Sequence, residues 1–249
     1  MSAISLSVDN DVACVMIDNP AKRNALAISD LGDLSSALTK AADLPIRALI
    51  LTGAGDRVFS GGVDLSDVSG DGQWDNNPLT AIADQLEHFP RPTIARIAGK
   101  VRGGAVELAL ACDFRIGAEG IDLWVPASRI GIHYEAQGLQ RAASRIGIQA
   151  TRRIYMLAEL FGAEALARMG YLDQLVPIDG IDSAVDEMVA LVTAGAPLSV
   201  DGMKATLMEI GMGETPDAAD RIAACWASDD LKEGLAALRE KRGPVFKGR

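Results

Sequence analysis

Glu107 is the one charge in the run 105–112, which is otherwise apolar on every side, and it stands just beyond the glycine pair Gly103-Gly104. A helix that is apolar all round belongs in a core. The first turn of any helix carries N–H groups with no partner inside it, and glycines there let a ligand come close to the backbone. The pattern predicts a buried helix whose N-terminus faces a small anion or a polarised carbonyl, with one carboxylate a turn away. Such an arrangement supplies oxyanion donors beside an acid or base.

Two effects oppose each other at Glu107. A helix N-terminus favours the ionised form by about 0.3–1 kcal/mol, less than one pKa unit. Burial favours the neutral acid and can move a carboxyl by ~3–5 units. Burial wins, leaving a proton carrier usable near neutral pH. The alternative is a structural carboxylate paired with an arginine such as Arg102 or Arg115. The residues alone leave both readings open.

A second glycine turn lies in Phe59-Ser60-Gly61-Gly62-Val63-Asp64-Leu65. Paired glycines let the chain turn sharply and present N–H groups, although a tight strand-to-helix turn would need them too. Lys22 and Arg23 sit beside the Asn19-Pro20 loop signal, either solvated or facing a ligand. His133-Tyr134-Glu135 is a polar cluster between apolar stretches, and His88 reads as a helix-end residue. Gly53-Ala54-Gly55 after a strand invites a dinucleotide-binding reading, but Val58 stands where the third glycine belongs.

The elements that must hold these groups need a sizeable core. The 249 residues are 49% apolar and 23% charged, which suits one large domain or one domain with a small appendage. The formal charge of −10 disfavours nucleic acid and anionic membranes as partners, so an anionic ligand needs local basic groups. Cys14, Cys112 and Cys225, widely spaced in apolar runs, read as reduced core thiols, and His88 and His133 alone exclude a multi-histidine metal site. The chain shows no secretory pattern and no apolar run long enough to span a bilayer, so a cytoplasmic protein is expected.

A strand pair is expected over 4–17, with Val12–Ile17 as its second strand, and further strands at 47–52, Thr93–Ile97, Phe114–Ala118 and 175–176. Helices are expected at 30–42 with Ser29 as cap, and at 79–89 with Leu79, Ile82, Ala83, Leu86 and Phe89 on one face. More follow at 137–146, 149–160, 163–169, 181–194, 197–210, 216–226 and 229–242. Residues 66–78, polar and without periodicity, read as a lid or surface loop with Trp74 as an apolar anchor. Gly195-Ala196-Pro197 is the best boundary, dividing 1–195 from 196–249.

Four ordered stretches resemble the crotonase (enoyl-CoA hydratase/isomerase) superfamily. They are Asn19-Pro20 through Asn24-Ala25-Leu26; Leu51-Thr52-Gly53 through Gly62-Val63-Asp64-Leu65; Arg91-Pro92 through Gly103-Gly104 to Cys112-Asp113; and Ser228-Asp229-Asp230 through Glu233-Gly234 to Glu240-Lys241-Arg242 and Phe246. The resemblance implies an α/β fold, a spiral of ββα units over 1–195, and a C-terminal helical trimerisation region over 196–249. The homotrimers are often paired into hexamers. It implies an enoyl-CoA hydratase/isomerase-like enzyme of fatty acid metabolism that stabilises a thioester enolate. Coenzyme A would enter as part of the acyl-CoA substrate, with no separate cofactor and no metal.

The resemblance also assigns roles. Backbone N–H groups at the positions matching Val63 and Gly104 would form the oxyanion hole, and Glu107 matches a catalytic acid/base. Lys22, Arg23, Lys241 and Phe246 match positions that lie by CoA, the last two often across a subunit boundary. The chain departs from the pattern where a second catalytic glutamate would stand, which here is Ala127, and Val63 replaces a smaller residue. Some decarboxylating relatives carry a tyrosine in the region of Tyr134, so Tyr134 is a candidate catalytic residue, and either it or Glu135 could stand in for the missing glutamate. The alternatives are therefore a CoA-thioester decarboxylase or hydrolase of the same superfamily, or a non-catalytic acyl-CoA-binding paralogue.

Overall fold

The computed structural model describes residues 2–67 and 78–249. Most of the expected lid, Trp74 included, falls outside the described residues. The chain opens with β1 (Ile4–Asp9), β2 (Val12–Ile17), β3 (Ala25–Leu26) and α1 (Ile28–Ala42). Next come β4 (Ala48–Gly53), β5 (Val58–Ser60), β6 (Gly62–Val63), α2 (Pro78–Glu87), β7 (Thr93–Ile97), β8 (Lys100–Arg102) and α3 (Ala105–Ala111). The second half carries β9 (Phe114–Ala118), β10 (Asp122–Trp124), α4 (Ala127–Ile130), α5 (Ala136–Tyr155), β11 (Phe161–Gly162), α6 (Ala163–Arg168) and β12 (Gln174–Val176). The helices α7 (Ile181–Thr193), α8 (Pro197–Gly211), α9 (Ala219–Ala227) and α10 (Asp229–Glu240) complete it.

The main sheet runs β1-β2-β4-β7-β9-β12 and is parallel except for the β1–β2 hairpin. Parallel strands covered on both faces read as near-continuous apolar runs, and Leu49, Leu51, Ile94 and Ala95 are all fully buried. A smaller sheet, β11-β10-β8-β5, and the parallel pair β3-β6 carry the loops around the glycine turns. The helix α1 turns Leu31, Leu34, Leu38 and Ala41 into the core, and α3 is buried on all sides. The apolar circumference of α3 requires that position.

Two local expectations need correction. Ser29 does not cap α1: the helix starts at Ile28, and the Ala27 N–H donates to Asp30 Oδ2 at 2.9 Å. A carboxylate in the first turn reaches back to the orphan donor better than a hydroxyl already inside the helix. The helix expected over 149–160 ends at Tyr155 and is joined to its predecessor through Gly147, whose φ of 79° breaks the helical path. At the far end, α8 and α9 contain no buried residue, and Leu207, Trp226 and Leu238 are each largely exposed. Among the described residues, no single helix is long and apolar enough to cross a membrane.

Asn24 ties the end of the main sheet to the first glycine turn. Buried and at a φ of 54°, it donates to Ala54 O at 3.0 Å and Val58 O at 2.8 Å while accepting from Asn19 N at 3.0 Å. Left-handed backbone is tolerated by Asn better than by most residues. Replacing it by alanine leaves two carbonyls and one N–H without these partners, so Asn24→Ala should cost about 2–4 kcal/mol in denaturant unfolding.

Candidate functional site

The two glycine turns meet. Gly62, at a φ of 79°, lies so close to the second turn that a Cβ on it would stand 2.7 Å from Arg102 O and 2.9 Å from Gly104 N. Ser60 fixes the first turn, its Oγ donating to Asn24 O at 2.7 Å and accepting from Gly62 N at 3.1 Å. Asp64 N donates to Leu26 O at 2.8 Å. Amides alternate in direction along a parallel ladder, so the Val63 N–H faces away from β3. In the second turn Gly103, at a φ of 50°, donates to Trp124 O at 2.9 Å. Among the described residues no acceptor meets the Gly104 N–H. Leu79 packs so tightly on Gly104 that a side chain there would strike it.

Both turns line a cavity of about 1130 Å³. Of the residues singled out in the sequence, Lys22, Arg23, Val63, Gly104 and Tyr134 line it; Glu107, Glu135, Lys241 and Phe246 do not. Lys22 Nζ pairs with Asp64 Oδ2 at 3.1 Å. A hydrogen bond from Ser66, then that from Lys22, pulls the Asp64 carboxyl down to about 2. Residues not anticipated there include Leu79, Arg102, Trp124 and Ile132. His133 also lines the cavity, with Nδ1 placed 2.7 Å from Tyr134 O; a carbonyl only accepts, so Nδ1 carries the proton. Ala127, where a second carboxylate was missing, opens onto the cavity. Among the described residues, the carboxylates that do line it are Asp56 and Asp64.

Glu107 is paired with an arginine, but with neither of those nearest in sequence. Arg102 is engaged by Asp122 and Arg115 by Asp173 at 3.1 Å. The partner is Arg141 of α5, fully buried, whose Nη1 donates to Glu107 Oε1 at 2.9 Å. The same guanidinium donates through Nε to Glu87 Oε2 at 2.9 Å and through Nη2 to Asp84 Oδ1. Burial pushes the Glu107 carboxyl up, and Arg141 only partly offsets that. The Thr80 hydroxyl is near enough to act on Glu107, yet neither Thr80 Oγ1 nor Glu107 Oε2 has a hydrogen-bond partner of normal geometry among the described residues. Tyr134, which lines the cavity, has its ring edge-on to Tyr155 at 4.7 Å and its phenol raised by burial and then by the Glu107 charge.

The remaining expected residues lie elsewhere in the single chain. Glu135 is exposed at the start of α5. Lys241 is the left-handed residue that ends α10, and Phe246 packs over Gly234. The C-terminal segment is held down by Asp230, which accepts from Lys247 N and Gly248 N, both at 2.7 Å.

Fold and site together define an α/β protein whose two main-chain turns meet at a large cavity. The enoyl-CoA hydratase/isomerase family model matches residues 7–249. A probable enoyl-CoA hydratase of Bacillus subtilis is 35% identical over 264 residues, covering all of both chains. The methylmalonyl-CoA decarboxylase of Escherichia coli is 28% identical, covering 96% of this chain and 95% of its own. The crystal structure of an enoyl-CoA hydratase from Bacillus anthracis superimposes with a TM-score of 0.90 at 26% identity, over the whole of both chains. The chain belongs to the enoyl-CoA hydratase/isomerase family.

Gly138 closes the space behind Glu107: a Cβ there would lie 2.6 Å from Oε1 and 3.0 Å from Oε2. An alanine in a helix ordinarily gains about 1 kcal/mol over glycine. Here Arg141 holds the carboxylate in place, so overpacking of ~1–3 kcal/mol outweighs that gain. Gly138→Ala should therefore lower the denaturation midpoint, whereas at a free helical site it would raise it.

Proposed function

We propose that this acyl-CoA-processing enzyme binds a CoA thioester in the cavity with the thioester oxygen between the Val63 and Gly104 N–H groups. The contact between the two glycine turns carries this reading. Each donor aimed at a developing enolate oxygen can contribute ~2.7–4 kcal/mol. Lys22 and Arg23 line the same cavity and suit the phosphates of CoA. Lys241 and Phe246 would reach a neighbouring subunit's nucleotide in a homotrimer or hexamer. The exposed apolar residues of the 196–249 region, after a spiral core over 1–195, support such an assembly. A cytoplasmic role in fatty acid metabolism fits this chemistry.

For the reaction itself, an enoyl-CoA hydratase/isomerase-like activity is the first reading, with Glu107 as acid/base. Decarboxylation is the second, favoured by one observation: Tyr134 lines the cavity, while Glu107 is held by Arg141 and does not line it. Loss of CO₂ from a malonyl-type thioester needs no base. The bond to the carboxylate breaks, its electrons become the thioester enolate, and a proton then returns to the α carbon. The Tyr134 phenol lines the cavity and carries an O–H that can supply it to the strongly basic enolate.

A substrate panel separates the readings: loss of enoyl-thioester absorbance reports hydration, CO₂ release decarboxylation, and free thiol hydrolysis. Gly62→Ala, which parts the two turns, should lower kcat by roughly 10²–10³ on whichever substrate is turned over. An unchanged kcat would remove the backbone donors from the mechanism. Glu107→Gln should abolish hydration, and Tyr134→Phe should lower decarboxylation. Tight binding with no product across the panel would mark a non-catalytic paralogue.

A further inference from the structure

The cluster behind the cavity is short of positive charge. Three carboxylates, Asp84 and Glu87 on α2 and Glu107 on α3, share two guanidiniums, Arg141 and Arg145 on α5. They are not served equally. Glu87 is paired on both oxygens, with Arg141 at 2.9 Å and Arg145 at 3.4 Å. Asp84 has 37% of its side-chain surface in solvent, so water completes its shell. Glu107 is 1% exposed and receives one bond at Oε1; at Oε2 the Thr80 hydroxyl is near, but no bond of normal geometry forms among the described residues. The other ionisable groups facing it, Tyr134 and Tyr155, are phenols with raised pKa values and bring no positive charge.

We propose that Arg141 is a positioning residue that engages Glu107 through Oε1 alone, so that Oε2 carries a proton at neutral pH, and that Asp84 sets how firmly that proton is held. An isolated buried carboxylate oxygen is costly, whereas a protonated one is neutral. The charge deficit of the cluster therefore falls on the member with the fewest partners and the least water. Glu107 is then an acid in the resting protein. This deepens the functional reading above and rests on it only for the use made of the proton.

The protonation can be read without substrate. Infrared difference spectra of full-length protein labelled with ¹³C-glutamate, compared with Glu107→Gln, should show one protonated-carboxyl band at pH 7 that the variant lacks. Its titration midpoint should lie above the usual carboxylate range. Asp84→Asn removes a like charge at a half-exposed position and frees Arg141 for Glu107, so the midpoint should fall by ~1 pH unit. Arg145→Gln leaves Glu87 competing harder for Arg141, so the midpoint should rise. Opposite shifts are what a shared guanidinium produces and general loosening does not. Absence of the band at pH 7, an unmoved midpoint in Asp84→Asn, or shifts of the same sign in both variants would overturn the proposal. Catalytic failure on the substrate panel would leave these spectra unaffected.

Discussion

The structure around the cavity depends on one guanidinium. Arg141 is fully buried and joins α2 and α3 to α5 through Asp84, Glu87 and Glu107. Removing a charge from water costs several kcal/mol unless its partners are well placed, so α2 and α5 cannot part without stranding an ion, and the bond from Arg141 to Glu107 holds α3 against them. The second glycine turn sits at the head of α3, so the same ionic knot that buries Glu107 also locates Gly104. The placing of Gly104 and the setting of the Glu107 carboxyl thus both depend on a single side chain.

The opposite wall is held by different means. Asn24, Ser60 and the Asp64 amide bind β3 to the β5–β6 turn with hydrogen bonds to backbone. Gly62 presses against Arg102 O and Gly104 N. The site is therefore built from backbone on both sides, with side chains serving mainly as braces. Main-chain donors held this way lose little by reorganisation when charge develops on a ligand. Tyr134, His133 and Ala127 are side chains set around the cavity here.

Much of the frame was legible in the chain. The all-round apolar run of α3, the strand at Val12–Ile17 and the apolar face of α2 each follow from local pattern, and they appear where that pattern predicts. The glycine turns were visible as motifs because unusual φ values demand glycine. The C-terminal segment with Lys241 and Phe246 was legible only by resemblance, and in a single chain it packs on itself instead of reaching the cavity.

By itself the sequence determined the strands of the main sheet, most of the helices, the burial of Glu107 and the upward push on the pKa of its carboxyl, since these depend on near neighbours and hydrophobic period. The tertiary structure decided the identity of its partner. Arg102 and Arg115 are closer along the chain, but each is claimed by an aspartate, and the arginine that reaches Glu107 lies 34 residues away. It also decided which residues share the cavity, bringing Lys22, Val63, Gly104 and Tyr134 together and leaving Glu107 out of its lining. Pairings of that kind follow from how helices pack across a core, and the spacing of residues in one dimension carries no record of it.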